Sequence, residues 1–186
     1  MKALGKLIRG ISGWKIGDHP PTMKKYVLIA APHTTNWDLV HMQSIGYSLG
    51  MKVSWMGKHT LFRPPFGPIM RALGGVPVVR HERRNMVDQM ADMFAERGEF
   101  ILAIPPEGTR GKAEYWRSGF YHIARAANVP IVPGYLDYPN KTGGFGPPLM
   151  PTGNVKADMD VLRAFYAPFR GKYHDNFGPI RLKEEG

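Results

Sequence analysis

A chain of 186 residues with 43% hydrophobic and 22% charged side chains has the size and balance of one globular domain with a substantial core, and two domains would both be small. It contains no cysteine, which excludes disulfides, thiolate metal centres and a cysteine acyl-enzyme. A formal charge of +10 favours anionic partners, among them nucleic acid, anionic lipid, a phosphorylated cofactor and an acidic carrier protein.

Residues 1–17 read as a basic amphipathic segment preceding a single domain over 18–186. On a helical wheel Leu4, Leu7, Ile8 and Ile11 share one side, Lys2, Lys6 and Arg9 lie opposite, and no acidic residue precedes Asp18. This pattern predicts a helix lying in a membrane interface, with Trp14 at its edge as an anchor. The alternative is a terminal helix packed on the body, and Gly5, Gly10 and Gly13 weaken a helix in either setting. No run reaches the roughly 18 apolar residues of a spanning helix, and no signal-peptide cleavage pattern follows. The expected location is the cytoplasm, peripheral on the cytoplasmic face of the membrane.

From residue 26 onward, short apolar runs alternate with segments of helical period. The runs "YVLIAA", "KVSWM", "VPVV", "FILAI" and "IVPGYL" predict strands, and residues 37–49, 66–73, 85–97, 117–127 and 157–167 predict helices. The clearest helix is "NMVDQMADMFAERG", with Asn85 as N-cap, a core-filling face of Met86, Val87, Met90, Ala91 and Phe94, and Gly98 as its stop. Such alternation implies an α/β fold with a mixed, largely parallel sheet covered by helices.

Ligands of open α/β sheets bind beyond the carboxyl ends of the strands. The apolar runs here deliver His33, Lys58, Arg80 and the turn "EGTR", residues 107–110, at those ends. Taken singly each is an ordinary solvated loop residue; together they predict one crevice with a base and several cations. Arg110 suits bidentate phosphate recognition, with Lys58 and Arg80 as further contacts. Glu107 would position that arginine, hydrogen-bond a polyol hydroxyl, or form a surface ion pair.

In "APHTTNWDLV", residues 30–39, His33 and Asp38 stand five positions apart. Were all of 33–38 helical, the two side chains would point about 140° apart. His33 must therefore precede the helix, with Thr35 or Asn36 as cap and Asp38 in the first turn. Asp38 would then hold one ring nitrogen and leave the other free to accept a proton; otherwise it only satisfies first-turn amides and the helix dipole.

"HTTNWD", "GKHTLFRPPFGPIMRALGGVPVVR", "EGTR" and "VPIVPG" resemble, in order, the four blocks of the glycerolipid and lysophospholipid acyltransferases, the family of bacterial 1-acylglycerol-3-phosphate acyltransferase. The resemblance spans residues 33–134 and includes Phe66 and Gly67 of the middle block. It departs at Val79, where relatives often carry aspartate, and at Gly111, where serine is common. It implies a glycerol-3-phosphate acyltransferase-like fold, His33 as general base and Asp38 as its orienting partner. It also implies that Arg80, Glu107 and Arg110 bind the acceptor's phosphate or polar head, with Gly108 and Thr109 completing the loop. The implied reaction transfers a fatty acyl group from acyl-CoA or acyl carrier protein to a hydroxyl of a lysophospholipid or glycerol-3-phosphate. It needs neither covalent intermediate, metal nor cofactor. The basic N-terminal helix, drawn to an anionic membrane surface, would replace the membrane hairpin that many relatives carry.

Two other readings compete. "GYSLG", residues 46–50, fits GxSxG, with Asp137 and His174 following in serine-hydrolase order, but Ser48 falls at the end of a predicted helix rather than on a strand-to-helix elbow. A basic membrane- or RNA-binding module would use aromatic residues near cations, such as Tyr115, Trp116 and Phe120 beside Arg117 and Arg125, which read more simply as the packing face and solvated edge of a helix. No nucleic-acid partner is therefore expected. His122 reads as a helix-surface or core histidine, and His41, His59 and His81 show no metal spacing.

Overall fold

Runs of branched and aromatic residues too short for a helix become the strands of one sheet. The computed structural model describes residues 2–78 and 83–185. Its elements are α1 (Lys2–Ser12), β1 (Lys15–Ile16), β2 (Lys25–Ala31), α2 (Trp37–Leu49), β3 (Val53–Lys58), α3 (Gly67–Ala72), β4 (Gly75–Val78), α4 (Arg83–Glu96), β5 (Phe100–Ile104), α5 (Gly119–Ala126), β6 (Ile131–Asp137), β7 (Thr142–Phe145) and α6 (Val155–Tyr166). Short 3-10 turns cover His59–Phe62, His174–Asn176 and Lys183–Glu185. All five expected strands and all five expected helices are present within a few residues; α4 starts two residues before its expected cap, Asn85.

The seven strands run in the order β1-β7-β6-β2-β5-β3-β4. Every pairing is parallel except β6 with β7. The chain moves outward from β2 through β3 to β4, then returns through β5 to β6. Right-handed crossovers therefore put α2 and α3 on one face and α4 and α5 on the other. Two cores follow. On the α2 face Ile45 and Trp14 pack with Tyr26, Leu28, Ile101, Val132 and Leu136. On the opposite face Met90, Phe94, Phe120, Ile123, Met159 and Leu162 cover Val27, Ile29, Leu102 and Ile131. The central strands are buried on both sides, which is why they read as continuous apolar runs rather than alternating ones.

The N-terminal segment is built into this body. β1 joins the sheet edge by parallel pairing with β7, and α1 packs on α2. The contact is made through Gly5, where a Cβ would come within 2.7 Å of Ser44 O and Ser48 N. Leu4, Leu7 and Ile11 are consequently not spent on packing and are 47%, 60% and 81% exposed. Trp14, expected at a lipid interface, is instead buried: its ring stacks on His41 with centroids 4.5 Å apart and anchors the root of α1 to the body. Among the described residues no helix is long and apolar enough to cross a membrane.

Candidate active site

β6, β2 and β5 are adjacent and parallel, with Ala31 opposite Tyr135 and Ile29 opposite Ile104. Their carboxyl ends therefore deliver three loops to one edge of the sheet, carrying Tyr138, His33 and Glu107. The connection after β2 turns to one face and that after β5 to the other. The gap between them is the topological switch point, where α/β sheets open a crevice.

The loop between Ala31 and Trp37 is folded back by one carboxylate. Asp38 Oδ2 accepts the backbone N–H of Thr34 at 2.8 Å and of Thr35 at 2.9 Å, and lies 3.2 Å from His33 Nδ1. Its other oxygen, Oδ1, accepts the Tyr138 hydroxyl at 2.6 Å. Asp38 is 1% exposed, so its charge is held by these donors rather than by water. Asn36 occupies the N-cap position of α2 without a side-chain bond, the Thr35 hydroxyl accepts the Trp37 N–H at 3.4 Å, and Asp38 satisfies the loop amides from inside the helix. Asp38 thus both holds the loop amides and contacts the histidine ring. An imidazole that donates from Nδ1 presents the Nε2 lone pair as its proton acceptor.

Glu107 is not in an ion pair with Arg110 among the described residues; it is buried, and its Oε1 accepts the backbone N–H of His33 at 2.8 Å. Among the described residues its buried Oε2 has no partner. Burial lifts the carboxyl to about 7, partly offset by the His33 N–H bond. Glu107 therefore braces the histidine loop from the neighbouring strand.

Gly108, Thr109 and Arg110 follow on an exposed turn that lines the crevice. Gly108 has φ +67°, and a Cβ there would lie 2.9 Å from Arg117 Cγ, so only glycine lets Arg117 lie across the turn. Arg117, read from the sequence as a solvated edge, joins Arg110 on the cavity wall. Lys58, by contrast, is exposed at the end of β3 and lies outside the lining. Arg80 lies outside the described residues.

The crevice opens into a cavity of about 1370 Å³ that extends to both faces of the sheet. Leu28, Met42 and Ile45 line it on one side and Met86, Phe120 and Ile123 on the other, while His33, Thr109, Arg110, Arg117 and Ser118 supply polar groups. An imidazole, guanidinium groups and a largely apolar chamber therefore share one space.

The features of the competing readings have other partners. Ser48 sits in the last turn of α2, its hydroxyl donating to Ser44 O at 2.7 Å, and Gly50 caps that helix with φ 77°. Asp137 accepts the backbone N–H of Arg170 at 3.0 Å. Trp116 and Phe120 are buried in the core, unavailable for stacking on bases. His122 is half-exposed on α5, with Nε2 3.8 Å from Glu184.

The family model described as Acyltransferase matches residues 16–137. Among solved structures, the 1-acyl-sn-glycerophosphate (LPA) acyltransferase PlsC from Thermotoga maritima is similar in fold, with a TM-score of 0.59 and 16% identity, covering 92% of this chain and 79% of that one. No curated protein sequence matches this chain.

Proposed function

The chain belongs to the acyltransferase family, and from that premise we propose that it moves a fatty acyl group from a thioester, acyl-CoA or acyl carrier protein, to a hydroxyl of a lysophospholipid or of glycerol-3-phosphate. The observation that carries this reading is the Asp38-held His33 at the mouth of an apolar cavity with Arg110 beside it. His33 Nε2 takes the acceptor's hydroxyl proton as the oxygen attacks the thioester carbonyl. The tetrahedral intermediate collapses to an ester, and the thiolate leaves with the proton that His33 returns. A thioester is reactive enough that no enzyme nucleophile is needed, which suits a chain without cysteine.

Arg110, joined by Arg117, binds the acceptor's phosphate, and the turn of Gly108 and Thr109 shapes that subsite. Asp38 and Glu107 hold His33 in place. Lys58, at the end of β3, and Arg80 remain proposed anion contacts. The apolar chamber, larger than the roughly 300–1,000 Å³ of ordinary small-molecule sites, takes the acyl chain. The exposed leucines and isoleucine of α1, with Lys2, Lys6 and Arg9 nearby, seat the protein on the anionic cytoplasmic face of a membrane, where lysophospholipid resides.

The test is an assay of purified protein with radiolabelled acyl-CoA and acyl carrier protein against a panel of phosphate-bearing and phosphate-free alcohols. Ester formation confined to phosphate-bearing acceptors is expected. Transfer to no acceptor from either donor would refute the reading.

A further inference from the structure

We propose that Tyr138 is a positioning residue for the His33–Asp38 pair, fixing the Asp38 carboxylate in the plane from which it holds the imidazole; this rests on the acyl-transfer reading above. The amides of Thr34 and Thr35 both donate to Asp38 Oδ2, and the His33 ring lies 3.2 Å from the same oxygen. Among the described residues Oδ1 has only the Tyr138 hydroxyl, at 2.6 Å. Without that donor a buried carboxylate oxygen is left bare. The group must then rotate, admit water or take a proton, and each outcome weakens its grip on Nδ1.

Tyr138 is well placed to impose one geometry. It directly follows the last residue of β6, its backbone N–H donates to Arg170 O at 3.0 Å, and its own carbonyl accepts Lys141 N–H at 3.2 Å. Its ring packs edge-on against Trp14 at 5.0 Å and against His41 at 5.9 Å. Burial and the Asp38 carboxylate both push the phenol well above its ordinary range, so it stays protonated and serves as a donor. His41, whose pKa burial pushes down, packs against both Trp14 and Tyr138. The aromatic trio thereby ties the pair to the root of α1. Asp38's two amide donors belong to the backbone, so among the described residues the Tyr138 hydroxyl is its one side-chain hydrogen-bond donor, which a substitution can remove.

Tyr138→Phe deletes the hydroxyl and keeps the ring. The expected result is a fall in kcat of roughly tenfold to a hundredfold, the scale of a lost hydrogen bond to a charged group, with KM for both substrates within about twofold and little change in Tm. In the protein without substrate, the ring ¹⁵N shifts of His33, assigned by their loss in His33→Gln, should move from a single Nδ1–H tautomer to a mixture. Unchanged kcat overturns the proposal. So does a lower kcat that follows a lower Tm while the ring shifts stay as in wild type, because that marks a purely structural role. If the unsubstituted protein transfers no acyl group, the acyl-transfer reading fails, and the ring shifts alone then decide whether Tyr138 orients the pair.

Discussion

Glu107 and Asp38 are both buried carboxylates beside His33, yet their surroundings set them apart. Among the described residues Asp38 accepts three hydrogen bonds and lies 3.2 Å from the His33 ring, whereas Glu107 accepts one, from the His33 amide, and has an oxygen with no protein partner. Burial dominates at Glu107 and raises its carboxyl from an ordinary 4.5 to about 7. The folded protein then binds a proton more tightly than the unfolded chain. The stability linked to Glu107 is fully present below about pH 4.5 and is lost as pH rises through about 7. Glu107→Gln retains an acceptor for the His33 amide and removes the titration. Denaturant unfolding at pH 5 and pH 8 should find the variant gaining on wild type at the higher pH; a pH-independent difference would contradict the burial argument. Helix geometry requires only that His33 precede the helix if it is to meet Asp38, so the sequence left open a carboxylate that merely holds loop amides; the structure shows Asp38 doing both. The role of Glu107 was not legible in the sequence. Its bond runs to a backbone amide 74 residues away, and only the strand order brings the two loops together. Tyr138 was reachable by the logic that singled out His33, since it too follows a strand end, but that logic was applied to bases and cations rather than to a phenol.

Among the elements, α1 departs most from an ordinary amphipathic helix. It packs on α2 through a glycine and leaves its apolar stripe outside. Gly5→Ala must push α1 from α2, because its Cβ would fall 2.7 Å from Ser44 O. A cost of about 1–3 kcal/mol in denaturant unfolding is expected. Gly10 has nothing within 4 Å of its Cβ position, so Gly10→Ala should be neutral or stabilising by up to about 1 kcal/mol. Replacing Leu4, Leu7 and Ile11 together by serine spares Gly5 and Trp14, and should lower co-sedimentation with anionic vesicles at unchanged thermal stability. Equal sedimentation of both proteins would remove α1 from membrane contact. The wheel pattern of α1 was readable in the sequence, but not which side of it faces the body. That was decided by Gly5, a residue counted as a weakness of the helix. The main strands and helices were legible because apolar runs and helical period mark them. β7, with "TGGF", and the two-residue β1 carry no such mark, and their pairing depends on an antiparallel return that local pattern does not encode.

Across the whole molecule, the positive charge and the position of the cavity support the same account. Cations lie on α1 and at the crevice, while the chamber wall is largely apolar. An amphiphile with an anionic head and a hydroxyl near it matches that distribution, and so does a thioester carrying a long acyl chain. Of the aromatic residues that a base-stacking module would use, Trp116 and Phe120 are buried in the core and Tyr115 lies under the Arg181 guanidinium. Everything in this account converges on one atom, His33 Nε2, as the acceptor of the proton released when the ester forms. The direct measurement is steady-state acyl transfer by His33→Ala beside wild type, at matched folding by circular dichroism. A loss of roughly 10²–10⁴-fold in kcat/KM is predicted, the scale of a lost general base. Wild-type turnover in the folded variant would contradict the mechanism.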